Sequence, residues 1–79
     1  MKRSAGEVRG TILRFLDGES EPWDWDDFTS IPIDDPFLEG VRRVCAFTDK
    51  AYPPPPGSGH YCAEAGLDLL RQLAMRLPA

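Results

Sequence analysis

Apolar positions recur at helical spacing in three stretches of the chain. In residues 4–18, Val8, Ile12, Phe15 and Leu16 form one stripe and leave Lys2, Arg3, Arg9 and Arg14 to the solvent side, the pattern of an amphipathic helix. Ser4 followed three positions later by Glu7 reads as a capping box. Gly18 is a left-handed terminator, and Gly10 inside the pattern costs about 1 kcal/mol of helix propensity relative to Ala. In residues 35–50, Phe37, Leu38, Val41, Val44, Cys45 and Thr48 share a face, with Glu39, Arg42, Arg43 and Asp49 off it. Asp34 or Asp35 caps that helix, and Pro36 takes the first helical position, where a missing amide is harmless. In residues 61–77, Leu67, Leu70, Leu73, Ala74 and Leu77 repeat the pattern until Pro78 ends it, with Arg71 and Arg76 near the negative end of the helix dipole.

Two stretches carry no such period. Residues 52–60 hold Pro53, Pro54, Pro55 and Pro56 followed by Gly57, Ser58 and Gly59. Four prolines lack amide donors and clash with preceding carbonyls, so the segment reads as a polyproline II connector ending in a loose turn, or as a proline-rich ligand for an aromatic groove. Residues 19–33 contain Trp23, Trp25, Phe28, Ile31 and Ile33, too many large apolar groups for a solvated loop. The reading is one helical turn near residues 24–29 that tucks Trp23 and Phe28 into the core, with Pro32 forcing Ile31 toward extended geometry. The expectation is therefore an all-α, small three-helix bundle-like single domain spanning residues 1–79, with a Trp/Asp-rich loop between its first and second helices.

Charge sharpens this picture. Nine of the 13 acidic side chains fall between Asp17 and Glu39, and no Lys or Arg occurs between Arg14 and Arg42. A formal −9 segment is thus set into a +5 remainder, giving the chain its net −4. With a pI near 4.7, direct nucleic-acid binding is disfavoured, because phosphate contacts need clustered Lys and Arg. No apolar run approaches the roughly 20 residues that span a bilayer, and nothing apolar follows Met1-Lys2-Arg3 as a signal peptide would require. The expectation is a cytoplasmic protein away from membranes, with Cys45 and Cys62 as reduced thiols.

The candidate chemistry is then narrow. A calcium loop starting at Asp24 would place Phe28 and Thr29 at its fifth and sixth positions, where a ligand and a glycine belong. Cys45, His60 and Cys62 could offer a zinc ion three ligands, but Cys45 sits on an apolar face and buried Cys is commonly a small hydrophobe; in an oxidising compartment the two thiols could pair instead. His60 is the one histidine, set in a Gly-rich loop with no base–nucleophile arrangement around it. The chain reads as non-enzymatic and without a cofactor. What remains is a binding surface: Trp23, Asp24, Trp25, Asp26, Asp27, Asp34 and Asp35 interleave aromatic anchors with carboxylates, a combination that suits a basic protein partner.

The run Trp23-Asp24-Trp25-Asp26-Asp27-Phe28-Thr29-Ser30-Ile31-Pro32, followed by Asp35-Pro36-Phe37-Leu38-Glu39-Gly40-Val41-Arg42-Arg43, resembles a pattern shared by small uncharacterised bacterial proteins. That likeness, over residues 12–45, implies a bacterial cytoplasmic origin and no particular activity. In size and acidity the chain is also similar to immunity proteins that neutralise basic nuclease toxins, an analogy that implies an interface on the same Trp and Asp residues.

Overall fold

Ser4 stands just outside the first helix, its hydroxyl accepting from the Glu7 amide at 3.1 Å while the Glu7 carboxylate accepts from the Ser4 amide at 3.0 Å. These two bonds satisfy amides that a helix start leaves without partners. They open α1 (Ala5–Leu16). Its end is a Schellman turn: Glu19 N–H donates to the Arg14 carbonyl at 2.9 Å, Gly18 N–H to that of Phe15 at 3.2 Å, and Gly18 takes φ 75°. The computed structural model describes residues 2–78, and after α1 come α2 (Pro22–Ser30), α3 (Pro36–Ala51) and α4 (Glu64–Arg76). The protein is all-α, with no strand among the described residues.

The main departure from expectation is α2. The segment read as a loop with one helical turn is a nine-residue helix, which turns the three-helix plan into four. Its apolar periodicity spans just over two turns, too little to stand out in sequence, and a helix this short holds only through tertiary packing. A second departure is the start of α4. Tyr61 and Cys62 lie outside the helix because Ala63 is extended (φ −65°, ψ 159°) and its amide donates to the Tyr52 carbonyl at 2.8 Å. That bond ties the end of α3 to the start of α4 and closes the proline segment at its base.

All four helices contribute to one core. Val8 and Ile12 of α1, Trp25 and Phe28 of α2, Ile33 of the following loop, Leu38, Val41 and Cys45 of α3, Leu70 and Ala74 of α4, and Leu77 just beyond it form a single buried cluster. Among the described residues Thr48 is the one buried polar side chain, and its hydroxyl donates to the Val44 carbonyl at 2.8 Å. The face expected on α3 divides in two. Leu38, Val41, Cys45 and Thr48 point inward, whereas Phe37 and Val44 are exposed, because the core is narrower than the apolar arc the sequence offers it.

The start of α4 lies against the end of α3 at Gly66. A methyl group there would stand 2.9 Å from Cys62 Sγ and 3.0 Å from both Thr48 Cγ2 and Tyr52 Cβ, distances that force buried atoms to move. Gly40, by contrast, has no atom within 4 Å of such a methyl. Gly66→Ala should lower unfolding stability by about 1–3 kcal/mol through overpacking, while Gly40→Ala should raise it by roughly 0.5–1 kcal/mol through helix propensity. Urea unfolding followed by circular dichroism measures both; equal effects at the two glycines would show that the helices do not approach closely at Gly66.

Candidate functional site

α2 carries the tryptophans and is fixed at both ends. At its start the Asp24 carboxylate accepts from the Glu21 amide at 3.1 Å, and this negative charge also favours the positive end of the helix dipole. At its end Ile31 N–H reaches the Asp27 carbonyl at 3.2 Å, and the Thr29 hydroxyl donates to the Trp25 carbonyl at 3.0 Å. No basic residue lies in the last turn. The missing cation comes from α3: Arg42 Nη1 donates a short hydrogen bond to the Thr29 carbonyl.

Arg42 is aimed by Glu39. Its Nε and Nη2 donate to Glu39 Oε1 and Oε2, each at 2.6 Å, in a bidentate pair. Glu39 also accepts from the Ile33 amide at 2.9 Å and from Arg43 Nε at 3.1 Å. One carboxylate thereby joins the end of α2, the connecting loop and α3. The hydrogen bonds from Arg42 and then from the Ile33 amide hold its pKa far below the ordinary carboxyl value of 4.5. Glu39 and Arg42 are the residues sequence reading missed; their three-residue spacing and the acid-rich segment just upstream were the available signal.

The two faces of α2 separate its residues. Trp25 and Phe28 turn inward, 5% and 1% exposed. The Trp25 ring stacks on Phe15 at 4.0 Å and 12°, with Tyr61 set edge-on to both rings. Trp23, expected both to tuck into the core and to belong to the binding surface, is not in the core, and Trp25, expected on that surface, is a core residue, because its position relative to Phe28 puts both on the side facing α1 and α3. Trp23 is 61% exposed, and at helical spacing it shares the outer face with Asp26, Asp27 and Ser30, all exposed.

The remaining acids fall elsewhere. Asp24 and Asp27 border a groove of about 250 Å³ whose other wall carries Arg3 and Arg14, so folding returns part of the segregated positive charge to them. Arg3 also lies over the Phe28 ring at 5.6 Å. Asp35 caps α3, its Oδ1 accepting from the Leu38 amide at 3.0 Å, and Asp34 is exposed beside it. The structure therefore brings Trp23, Asp26 and Asp27 together and places Asp34 and Asp35 at the mouth of a different helix.

Asp26 also rims a cleft of about 480 Å³ between α1, α2 and α3, with Phe15, Trp25 and Tyr61 among its walls and Asp49 and Lys50 across from it. The buried Trp25 Nε1 has no hydrogen-bond partner. The indole bears on the Tyr61 phenol, whose pKa is raised by burial and only partly offset by that contact, but the approach falls short of hydrogen-bond geometry.

The thiols do not form a site with the histidine. His60 and Cys62 border one cleft with Glu64, Cys45 is fully buried in the main core, and both cysteines are free. Burial pushes the Cys45 thiol up to about 12 and also raises Cys62, which the Asp49 charge raises further; thiols so placed are poor ligands and poor nucleophiles at neutral pH. Among the described residues no three His, Cys, Asp or Glu side chains converge as metal ligands, and no helix is long and apolar enough to cross a membrane. The chain matches no known protein-family model, no curated protein and no solved structure.

Two expectations follow. Because the folded pKa of Glu39 is depressed, its contribution to stability is complete above 4.5 and is lost as the pH falls through the folded value; Glu7, lowered by its bonds with Ser4, acts in the same direction. Thermal melting between neutral and acid pH should show a steep loss below 4.5 that Glu39→Gln flattens, and an unchanged acid limb in that variant would remove Glu39 from this role. In fluorescence, Trp23→Phe should leave blue-shifted emission from Trp25 that acrylamide barely quenches, whereas Trp25→Phe should leave the red-shifted, readily quenched emission of an indole in water.

Proposed function

We infer that the chain is a protein-interaction module whose working surface is the outer face of α2, with Trp23 as its anchor, Asp26 and Asp27 as its flanking charges, and a basic protein as its partner. The supporting observation is the exposure of Trp23, 61%, on a helix that had a buried alternative two residues away. An exposed indole offers a large amphipathic contact area, and an aromatic side chain flanked by charges is the composition of an interface hot spot. The carboxylates raise the encounter rate with a cationic surface and supply selectivity, while the ring supplies contact area.

The cleft rimmed by Asp26 extends this surface inward, with Phe15, Trp25 and Tyr61 along its walls. Asp24 and the inner side of Asp27 contribute less than their charges suggest, since Arg3 and Arg14 share their groove. A role in the cytoplasm, as an immunity-like inhibitor that neutralises a basic protein, suits a module of this size and charge.

Asp26→Lys combined with Asp27→Lys should abolish co-precipitation of the partner from extracts of the native host, and Trp23→Ala should weaken it at least tenfold, with the helical circular dichroism of both variants unchanged. Capture by the parent should also fall as salt is raised, as expected for exposed charges. Undiminished capture by the folded double variant would dismiss the acidic face as the contact.

A further inference from the structure

α3 carries a second apolar stripe that the monomer leaves uncovered. Phe37, Gly40, Val44, Phe47 and Ala51 are all exposed and follow one another at alternating steps of three and four residues, the spacing of a seam between two packed helices. Phe37 is 65%, Phe47 60% and Val44 39% exposed, although core positions on the same helix are filled by Leu38, Val41, Cys45 and Thr48. The Lys50 ammonium lies 5.6 Å from the Phe47 ring centroid and covers part of that ring.

The order of sizes along the stripe favours one occupant. If a second α3 lies antiparallel across it with a two-fold axis at Val44, Phe37 faces Ala51 of the second copy and Phe47 faces the notch at Gly40, so each large side chain meets a small one. A parallel arrangement would set Phe against Phe and Gly against Gly and leave voids. The antiparallel arrangement also brings Asp34 and Asp35 at the start of one helix beside Lys50 at the end of the other and opposes the two helix dipoles. Arg43, near the axis, is already paired with Glu39 of its own chain at 3.1 Å, so like charges there are offset.

The area is sufficient for a weak complex. Exposed Phe37, Phe47 and Val44 offer on the order of 300 Å² of apolar surface per chain, and doubling this and adding the stems of flanking Arg43 and Lys50 gives about 1,000 Å². That is the lower bound for a specific interface and the size class of weak, transient complexes. We propose that α3 is the interface of an antiparallel, two-fold homodimer of this chain.

Sedimentation equilibrium from about 10 µM to about 1 mM spans weak association and should show the mass rising from 8.8 kDa toward twice that value. Phe47→Glu should raise the dissociation constant at least tenfold with unchanged circular dichroism. Gly40→Leu is the sharper variant: the monomer has open space there, so the fold is kept, yet the side chain fills the notch that receives Phe47, and dimerisation should weaken by a similar factor. Under mild oxidation Val44→Cys should crosslink to itself, while Phe37→Cys should not, because the two copies of residue 37 stand about 21 Å apart along the helix axis; the native thiols are buried and do not compete. A monomer across the whole concentration range, tighter association of Gly40→Leu, or self-crosslinking of Phe37→Cys would each overturn the proposal.

Discussion

The bidentate pair between Glu39 and Arg42 decides where α2 sits. A nine-residue helix is marginal by itself, and this one has no cation of its own at its negative end. Arg42 supplies that cation by donating to the Thr29 carbonyl, and Glu39 holds Arg42 in place while also gripping the Ile33 amide. Trp25 and Phe28 then enter the core at a fixed angle, and the outward direction of Trp23 follows from theirs by helix geometry. The outward face of α2 that carries Trp23 is therefore specified by a charge pair that lies outside it.

Folding also redistributes the charge that the sequence keeps apart. Arg42 and Arg43 close on Glu39, and Arg3 and Arg14 share a groove with Asp24 and Asp27. What looked like a uniform anionic block becomes several locally compensated groups, with Asp26 and the outer side of Asp27 left beside the indole. Were the chain to pair through α3, each assembly would display two copies of α2, and a partner with two matching sites would be held more tightly than one face alone allows.

The parts of the fold that were legible in sequence were those set by local chemistry. Ser4 with Glu7, Gly18, and Asp35 with Pro36 mark helix ends through bonds that reach only a few residues, and they form as read. The helix carrying Trp23 was not legible, because its evidence is tertiary: the stacking of Trp25 on Phe15 and the cap from Arg42 join residues far apart in the chain. For the same reason the sequence could not say which tryptophan is buried. Both flank Asp24, and only the phase of the helix against α1 decides. Phe37 and Val44 were read as part of the one apolar face of α3, and that this face exceeds what one core can absorb became apparent only once the buried side was known.

The hydrogen bond from the Ala63 amide to the Tyr52 carbonyl gives the proline segment an independence that its composition would not suggest. The chain leaves α3 and returns to α4 through a closed neck, and the excursion turns at Gly57, with Ser58 N–H bonded to the Pro55 carbonyl at 3.1 Å and φ 76° at the glycine. Lengthening the tip adds little closure entropy, since that cost grows only with the logarithm of loop size. The apex is thus a natural graft point, where an affinity tag, a fluorophore or a second recognition module could be displayed with both chain ends left untouched.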